Sequence, residues 1–220
     1  MSDEVNLPIV MIGGGGHASV LAEILLTQGR EILAVVSPED VSQRSVFEGI
    51  ATLEKDEDIL KFDKDKILLV NGIGVMPKSS LKRRINEYFL SLGYRFETII
   101  ADSALVSTFS KIESGAQILP MAIIQTGATV GSHSIINTGA LVEHDCHIGS
   151  YNHIAPKATL CGQVKSEDDV FVGASATVIQ NIMLARGCIV GANTTVAKDI
   201  EESFMVYSFR DMKYKLVNNG

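Results

Sequence analysis

The chain has 220 residues and a formal net charge of -7, and this length allows one large domain or two modest ones. The acidic balance and the lack of a run of Lys and Arg argue against nucleic acid or a membrane surface as a partner. No apolar stretch is long enough to span a bilayer, and Asp3 and Glu4 stand where a signal peptide would be basic, so we expect a soluble, cytoplasmic enzyme.

The first part of the chain predicts an α/β domain. Pro8 to Ile12 is a short apolar run typical of a strand, Gly13 to Gly16 interrupts it, and Ala18 to Gln28 shows helical spacing. A second strand follows at Ile32 to Val36. The order strand, glycine loop, helix, strand predicts a Rossmann-like βαβ unit with a parallel sheet.

The remainder of this domain is predicted as two more strands and a helix. Lys66 to Val70 is a third strand that ends in the loop Asn71-Gly72-Ile73-Gly74. Ser80 to Leu92 is an amphipathic helix that bears Lys82, Arg83 and Arg84, and Phe96 to Ile100 is a fourth strand.

The four successive glycines Gly13 to Gly16 indicate a phosphate site. Between a strand and a helix, backbone N-H groups approach a phosphate closely, and the helix N-terminus favours its negative charge. The dinucleotide fingerprint is imperfect, because Ala18 takes the third glycine position and no clear ribose-binding acid ends the second strand. A tight structural turn is the alternative. His17 closes the loop, where its ring either faces a ligand or has a structural role.

A six-residue period dominates the chain from Val106 to Val196. Sixteen positions at this spacing are aliphatic except Ser166, and small residues such as Ala122 and Ala140 often follow four residues later. Each short strand and its turn then send one side chain to the interior, which predicts a solenoid with three flat faces. The aliphatic positions are Val106, Ile112, Ile118, Ile124, Val130, Ile136, Val142, Ile148, Ile154, Leu160, Val172, Val178, Leu184, Val190 and Val196.

The six-residue register is predicted to stop after Val196. Residues 199–220 form a charged tail, which we interpret as a short capping helix over the last coil, because an uncovered solenoid end exposes pairing groups and apolar core. We place the domain boundary near Asp102. The βαβ domain then covers residues 1–102, and the solenoid with its cap covers residues 103–220.

The segment from Asn137 to Cys146 carries the side chains best suited to catalysis. Val142 is an inward position of the repeat, so His144, two residues further on, is predicted to be exposed at the solenoid surface. The adjacent Asp145 can fix the tautomer of the imidazole and stabilise its charged form, which makes the pair a good general base. The alternative is that these polar residues are simply solvated.

We do not expect a metal site or a cysteine nucleophile. His144, His147 and His153 fall at different phases of the repeat and would point in different directions. The three cysteines lack metal-like spacing, and Cys146, the one nearest to His144, is predicted to be an inward and inert thiol.

Several motifs together resemble the bacterial sugar acetyltransferases, a hexapeptide-repeat family that pairs a small nucleotide-sugar domain with a left-handed β-helix. The same grouping includes relatives of sialic acid O-acetyltransferase. The resemblance covers nearly the whole chain and supplies the left hand of the solenoid, since the general rule for parallel crossovers is right-handed. Its motifs are Gly14-Gly15-Gly16-His17-Ala18, Asn71-Gly72-Ile73-Gly74, Asn137-Thr138, Glu143-His144-Asp145-Cys146 and His153-Ile154-Ala155-Pro156.

The resemblance implies a role for individual residues of these motifs. His144 is the implied general base, with Asp145 as its orienting carboxylate and Asn137 as a polar neighbour. His153 and backbone amides around Gly162 are implied to hold the co-substrate, acetyl-CoA. The nucleotide sugar is implied to lie on two loops of the first domain, formed by Gly14, Gly15, Gly16 and His17 and by Asn71, Gly72 and Ile73.

The implied reaction moves acetyl directly from acetyl-CoA to the 4-amino group of a UDP-linked 4-amino-4,6-dideoxy sugar, without an acyl-enzyme. A GDP- or dTDP-linked amino sugar, or a sugar hydroxyl as in sialic acid O-acetylation, is the alternative acceptor. A non-catalytic solenoid that senses a nucleotide or scaffolds an assembly is an alternative from another class. The resemblance also implies a homotrimer with active sites between subunits.

Overall fold

The computed structural model describes residues 7–208, and its first part is a four-stranded parallel sheet flanked by helices. The elements are β1 Ile9–Ile12, α1 Gly16–Thr27, β2 Ile32–Val36, β3 Ala51–Leu53, β4 Leu68–Asn71 and α2 Leu81–Ser91. The strands follow one another across the sheet in the order β3-β2-β1-β4, and β1 and β2 form the predicted βαβ unit around α1. Two short 3-10 helices cover Ser45–Phe47 and Asp56–Lys61.

Two details of this domain differ from the prediction. The edge strand β3 was not predicted, because Ala51–Leu53 is short and its exposed side chains show no apolar pattern. The segment Phe96 to Ile100, predicted as one strand, divides between the two parts of the molecule. Phe96 makes a single parallel bridge to Leu69 of β4, whereas Ile99–Ile100 pairs within the solenoid.

The second part is the predicted β-helix, whose two-residue strands stack into three parallel sheets. Face 1 contains β5 Ile99–Ile100, β8 Gln117–Ile118, β11 Ile135–Ile136, β14 His153–Ile154, β17 Phe171–Val172, β20 Ile189–Val190 and β22 Met205–Val206. Face 2 contains β6 Leu105–Val106, β9 Ile123–Ile124, β12 Leu141–Val142, β15 Thr159–Leu160, β18 Thr177–Val178 and β21 Thr195–Val196. Face 3 contains β7 Lys111–Ile112, β10 Thr129–Val130, β13 His147–Ile148, β16 Lys165–Ser166 and β19 Met183–Leu184.

The six-residue period arises because the second residue of each strand points into the prism. Val130, Ile136 and Val142 are completely buried in one continuous apolar core. Ser166, the polar exception in the series, is also buried. Its hydroxyl oxygen accepts a hydrogen bond from the Asn152 side chain at 2.6 Å, so this buried polar group is satisfied.

The solenoid continues beyond Val196, although the unbroken six-residue register ends there as predicted. Ile200 bridges to Leu184, and β22 pairs with β20. The turn between Val196 and Ile200 is two residues shorter than the other turns of the solenoid, and the spacing of six resumes from Ile200 to Val206. The described part of the tail contains no helix up to residue 208. The rest of the segment predicted as a capping helix, residues 209–220, is outside the described residues.

The N-terminal domain packs against the outside of face 1. Ile99, Leu119 and Ile135 of the solenoid share an apolar cluster with Met11 of β1 and Leu21 of α1. Burial of these side chains fixes the domain on the solenoid, since apolar burial is the main stabilising contribution in protein cores. The loops at the carboxyl ends of β1 and β4 therefore face strands of the β-helix.

A charged contact adds to this packing at the side of face 1. Arg83 of α2 makes two hydrogen bonds to the Asp169 carboxylate, at 2.8 and 3.0 Å, and stacks 4.0 Å above the ring centroid of Tyr151.

Within residues 7–208, no helix is long and apolar enough to cross a membrane.

Candidate active site

The glycine loop after β1 combines two tightly packed glycines with two open ones. Gly13 has a φ of +90°, and a side chain on Gly14 would collide with Val41. A Cβ on Gly15 or Gly16, in contrast, would meet no atom of the described part of the chain within 4 Å. The turn therefore accounts for the first two glycines only. The other two leave open space at the N-terminus of α1, where backbone N-H groups favour an anion.

His17 lies at the junction between this loop and the solenoid. Its Nε2 is 2.8 Å from Oε1 of Gln117 in β8. The amide nitrogen of Gln117 donates to the carbonyl oxygen of Asn71 at 2.9 Å, which orients its own oxygen towards His17. Nε2 of His17 therefore carries the proton. Burial, and next the charge of Lys82, lower the pKa of His17 to about 4, so the ring is neutral at pH 7.

The loop after β4 is held by its own side chain and by α1. Asn71 accepts a hydrogen bond from the backbone N-H of Ile73 at 3.0 Å and donates to the side-chain oxygen of Asn86 at 2.7 Å. A Cβ on Gly72 would lie 2.8 Å from Cα of Ala18, so glycine permits the close approach of this loop to α1. The predicted substrate loops, Gly14 to His17 and Asn71 to Ile73, are thus neighbours in the structure.

The ammonium group of Lys82 lies fully buried beneath these loops. It donates to the carbonyl oxygen of Asn71 at 2.7 Å and lies 3.3 Å from Oε1 of Gln117 and 3.4 Å from the carbonyl oxygen of Ile73. All three acceptors are uncharged. Burial lowers the pKa of Lys82 to about 7, because the charged form loses its hydration.

Sequence reasoning missed Lys82 and Gln117 as parts of this cluster. Lys82 was treated as one of three cations on an amphipathic helix, yet it shares the buried face of α2 with Asn86 and Phe89. Lys82 precedes Asn86 by four residues, and Asn86 precedes Phe89 by three. This helical spacing is the sequence pattern that indicates a shared buried face. Gln117 carried no comparable signal, since outward positions of a solenoid are usually solvated.

His153 and Asn137 lie together on face 1 and at the corner that follows it. Nε2 of His153 is 3.4 Å from the amide nitrogen of Asn137, and its ring stacks on Phe171 with 5.0 Å between centroids. Burial, followed by the charges of His17 and Lys82, lowers the pKa of His153 to about 4. Its Nδ1 is buried and has no hydrogen-bond partner among residues 7–208.

His144 and Asp145 form an exposed pair at a different corner, between faces 2 and 3. Nδ1 of His144 is 2.9 Å from Oδ2 of Asp145, and about half of each side chain is exposed. The Nε2 edge of the imidazole lies over the buried Gly162 of the next coil, where a Cβ would be only 2.6 Å from that nitrogen. Gly162 was predicted to contact acetyl-CoA; the structure places it directly beneath His144.

The predicted site residues therefore fall into two groups within one chain. The glycine loop, the Asn71 loop, Asn137 and His153 lie along face 1 and its edge, whereas His144, Asp145 and Gly162 lie at the corner between faces 2 and 3. Strand β12 separates them. Asn137 lies at the corner before β12 and His144 at the corner after it, and the turn at the first corner is closed by a hydrogen bond from the Ala140 N-H to the carbonyl oxygen of Asn137.

The described residues contain no metal centre, and the Cys146 thiol is not activated. Within residues 7–208, no group of three or more His, Cys, Asp and Glu side chains is arranged to hold a metal ion. Cys146 points inward as predicted and is completely buried, and its Sγ lies 3.2 Å from the carbonyl oxygen of Cys161. Burial raises the pKa of the Cys146 thiol to about 11, which disfavours the thiolate.

Comparisons with known proteins agree with this architecture. Residues 8–89 match the family described as PglD N-terminal domain. GDP-perosamine N-acetyltransferase of Escherichia coli O157:H7 is 30% identical over 112 residues, which are 51% of this chain and 50% of that protein. The match thus spans about half the length of this curated relative.

Solved structures match over most of the chain. PerB from Caulobacter crescentus, in complex with CoA and GDP-perosamine, is 28% identical with a TM-score of 0.82, over 91% of this chain and 94% of that one. The acetyltransferase domain of PglB from Neisseria gonorrhoeae FA1090, in complex with acetyl coenzyme A, is 26% identical with a TM-score of 0.81, over 92% and 97% of the two chains.

The three-sided coil and its N-terminal α/β domain define a left-handed β-helix protein built from hexapeptide repeats. The sequence and structural matches agree with the predicted resemblance to hexapeptide-repeat sugar N-acetyltransferases that carry a PglD-type N-terminal domain. The predicted fold is confirmed.

Proposed function

We propose that this protein transfers acetyl from acetyl-CoA to the amino group of a nucleotide-linked amino sugar. The observation that carries the proposal is the exposed His144–Asp145 pair, with 2.9 Å between Nδ1 and Oδ2, on a β-helix shared with proteins that bind CoA and GDP-perosamine. The pair supplies a general base, the group needed to remove a proton from an attacking amine.

The proposed chemistry moves one proton from the amine to the leaving thiolate by way of His144, and it forms no covalent enzyme intermediate. The Asp145 carboxylate accepts a hydrogen bond from Nδ1–H of His144, which leaves Nε2 unprotonated and available as the base. The amine nitrogen bonds to the thioester carbon as Nε2 takes its proton, and the carbon-sulfur bond then breaks. The CoA thiolate leaves and receives the proton. Backbone N-H groups near Gly162 are proposed to stabilise the oxyanion, a contribution typically worth about a hundredfold or more in rate.

The N-terminal domain is proposed to hold the nucleotide sugar at the two loops above Lys82 and Gln117. The open N-terminus of α1 at Gly15 and Gly16 suits the diphosphate, because it offers unpaired N-H donors and a positive dipole end. The similarity to GDP-perosamine N-acetyltransferases favours a GDP-linked amino sugar over the UDP-linked one expected from the sequence.

A complete site is proposed to require two subunits of a homotrimer. The support is geometric, since the base at the corner between faces 2 and 3 is separated by β12 from Asn137, His153 and both substrate loops. Neighbouring chains of a symmetric ring can bring one group of each kind together. We place this reaction in the cytoplasm, where acetyl-CoA is available.

The direct test is a panel of acceptors given to the protein with acetyl-CoA. Release of CoA thiol and the product mass are followed with GDP-, dTDP- and UDP-linked 4-amino sugars, with free amino sugars, and with the matching hydroxyl sugars. The proposal predicts fastest turnover with a nucleotide-linked amine and a product that carries one added acetyl group on nitrogen. Turnover confined to hydroxyl acceptors, or none with any nucleotide sugar, would contradict it.

A further inference from the structure

The corner that carries the His144–Asp145 pair repeats the same backbone conformation in successive coils. Gly127, Asp145, Gln163 and Asn181 follow one another at intervals of eighteen residues, and their φ angles are +73°, +58°, +63° and +62°. Three of these four positions adopt the left-handed conformation with a full side chain. The backbone alone therefore does not require glycine at position 127.

The requirement for glycine at position 127 comes from the next coil. A Cβ built on Gly127 would lie well inside 3.0 Å of Oδ1 of Asp145, closer than real Cβ atoms come to any neighbour. The carboxylate of Asp145 thus occupies the space that a side chain at 127 would fill. Its other oxygen, Oδ2, is the one that faces Nδ1 of His144 at 2.9 Å.

A second glycine flanks the pair on the following coil. Gly162 does not have a left-handed φ, and the three atoms nearest to a Cβ there all belong to the imidazole of His144, at 2.6, 2.7 and 3.2 Å. The exposed pair therefore lies between two positions without side chains, one against the carboxylate and one against the ring.

We propose that Gly127 is a positioning residue for the acetyl-transfer reaction, acting by leaving room for the Asp145 carboxylate to hold His144. It contacts no substrate in this account and acts only through Asp145. The kinetic part of the inference rests on the proposed function. The geometric part, that a methyl group at 127 displaces the carboxylate and alters the His144 hydrogen bond, does not.

Gly187 provides a matched control at another corner. Its φ of +65° is close to that of Gly127, but the one atom of the described residues that a Cβ there would meet within 4 Å is Oγ of Ser203, at an ordinary contact distance of 3.8 Å. Gly127→Ala and Gly187→Ala therefore impose the same kind of backbone strain, whereas only the first crowds Asp145. Because the crowded atom is the end of a partly exposed side chain, Gly127→Ala should fold normally.

The test is a double-mutant cycle between Gly127→Ala and Asp145→Ala, with Gly187→Ala alongside. A displacement of about 1 Å can reduce a rate up to about a hundredfold, so we expect Gly127→Ala to lower kcat roughly tenfold or more, with little change in either KM. In the Asp145→Ala background, the same substitution should change kcat by less than about twofold, because no carboxylate remains to crowd. Gly187→Ala should retain kcat while lowering Tm as much as Gly127→Ala does.

Equal kcat for Gly127→Ala and Gly187→Ala, or an undiminished loss in the Asp145→Ala background, would overturn the proposal. A second readout separates this failure from that of the proposed function. Nitrogen-15 spectra of labelled histidine report the His144 hydrogen bond without any substrate, and the His144 signals should shift in Gly127→Ala but not in Gly187→Ala. Unshifted signals overturn the positioning role even in an active enzyme; shifted signals support it even in a protein that fails to transfer acetyl.

Discussion

The Nζ of Lys82 lies 2.7 Å from the carbonyl oxygen of Asn71, inside the contact between the N-terminal domain and the β-helix. An ammonium group at this depth usually has a carboxylate partner, yet its three acceptors here are neutral oxygens. The ammonium group links the Asn71 loop to Gln117 of the solenoid. Because it is buried in this position, it loses its own hydration.

The first prediction concerns the pH dependence of stability caused by Lys82. Its pKa is about 7 in the folded protein and has an ordinary value of 10.5 for a solvated lysine, so between these pH values the unfolded chain binds the proton and the folded chain does not. The free energy of unfolding should therefore rise with pH over this window, by up to about 1.4 kcal/mol per pH unit. Below pH 7 both states are protonated, and the full penalty of burial remains.

Urea unfolding of the wild type and of Lys82→Met from pH 6 to 10 measures this contribution. The variant should lack the rise, whereas Lys66→Met, which changes an exposed side chain, should keep it. The assignment fails if wild type and Lys82→Met show the same dependence on pH.

The second prediction concerns the bridge that Gln117 makes between the two substrate loops. Gln117→Leu keeps the volume but removes the hydrogen bonds to His17 and to the carbonyl oxygen of Asn71. Each such bond contributes about 1 kcal/mol, so KM for the nucleotide sugar should rise roughly tenfold or more while KM for acetyl-CoA stays constant. Steady-state kinetics with each substrate varied in turn distinguish this result. A rise in KM for acetyl-CoA alone would contradict the proposal that the two loops hold the nucleotide sugar.

The third prediction concerns the absence of a thiol nucleophile. Burial raises the pKa of Cys146 to about 11, and its sulfur points into the core rather than towards a substrate. Cys146→Ala should therefore keep kcat within about threefold at pH 7, although loss of packing lowers Tm. Mass spectrometry of the wild type mixed with acetyl-CoA should detect no acetylated cysteine. A trapped acetyl-Cys146 would show a two-step mechanism instead.

The fourth prediction concerns the assembly of the site from two chains. Co-expressed His144→Ala and Asn137→Ala chains, carrying different tags, can be purified as mixed oligomers. If the base and the Asn137 group come from neighbouring subunits, one site in three of a mixed trimer is intact, and activity should recover to roughly one third of wild type. Each variant alone should be inactive or nearly so. Mixed oligomers no more active than their parents would place both groups of a site on the same chain.

Much of the fold was predictable because each short strand of the solenoid repeats one interior position. The period of six from Val106 to Val196 was readable without any long-range information, and so was the exposure of His144 two residues after Val142. The shift between Val196 and Ile200 was not readable, because a turn shortened by two residues looks like the end of the repeat.

The arrangement of the site was less predictable than the fold. Asn137 and His144 are close in sequence, yet a corner and strand β12 place them on different edges of the prism. The contact of Lys82 with Gln117 joins residues 35 positions apart and depends on how α2 docks on face 1. Such tertiary contacts leave no local periodic pattern.

The most direct measurement of the central claim is the rate of acetyl transfer in a single turnover by wild type and by His144→Ala. Each protein, in molar excess over the amino sugar, is mixed with acetyl-CoA and the best nucleotide-linked amino sugar. The acetylated product is quantified after rapid quenching. A general base typically contributes a factor of about 10² to 10⁴, so the variant should be slower by that range while still binding both substrates. A variant rate within about threefold of wild type would show that the imidazole of His144 does not take the proton.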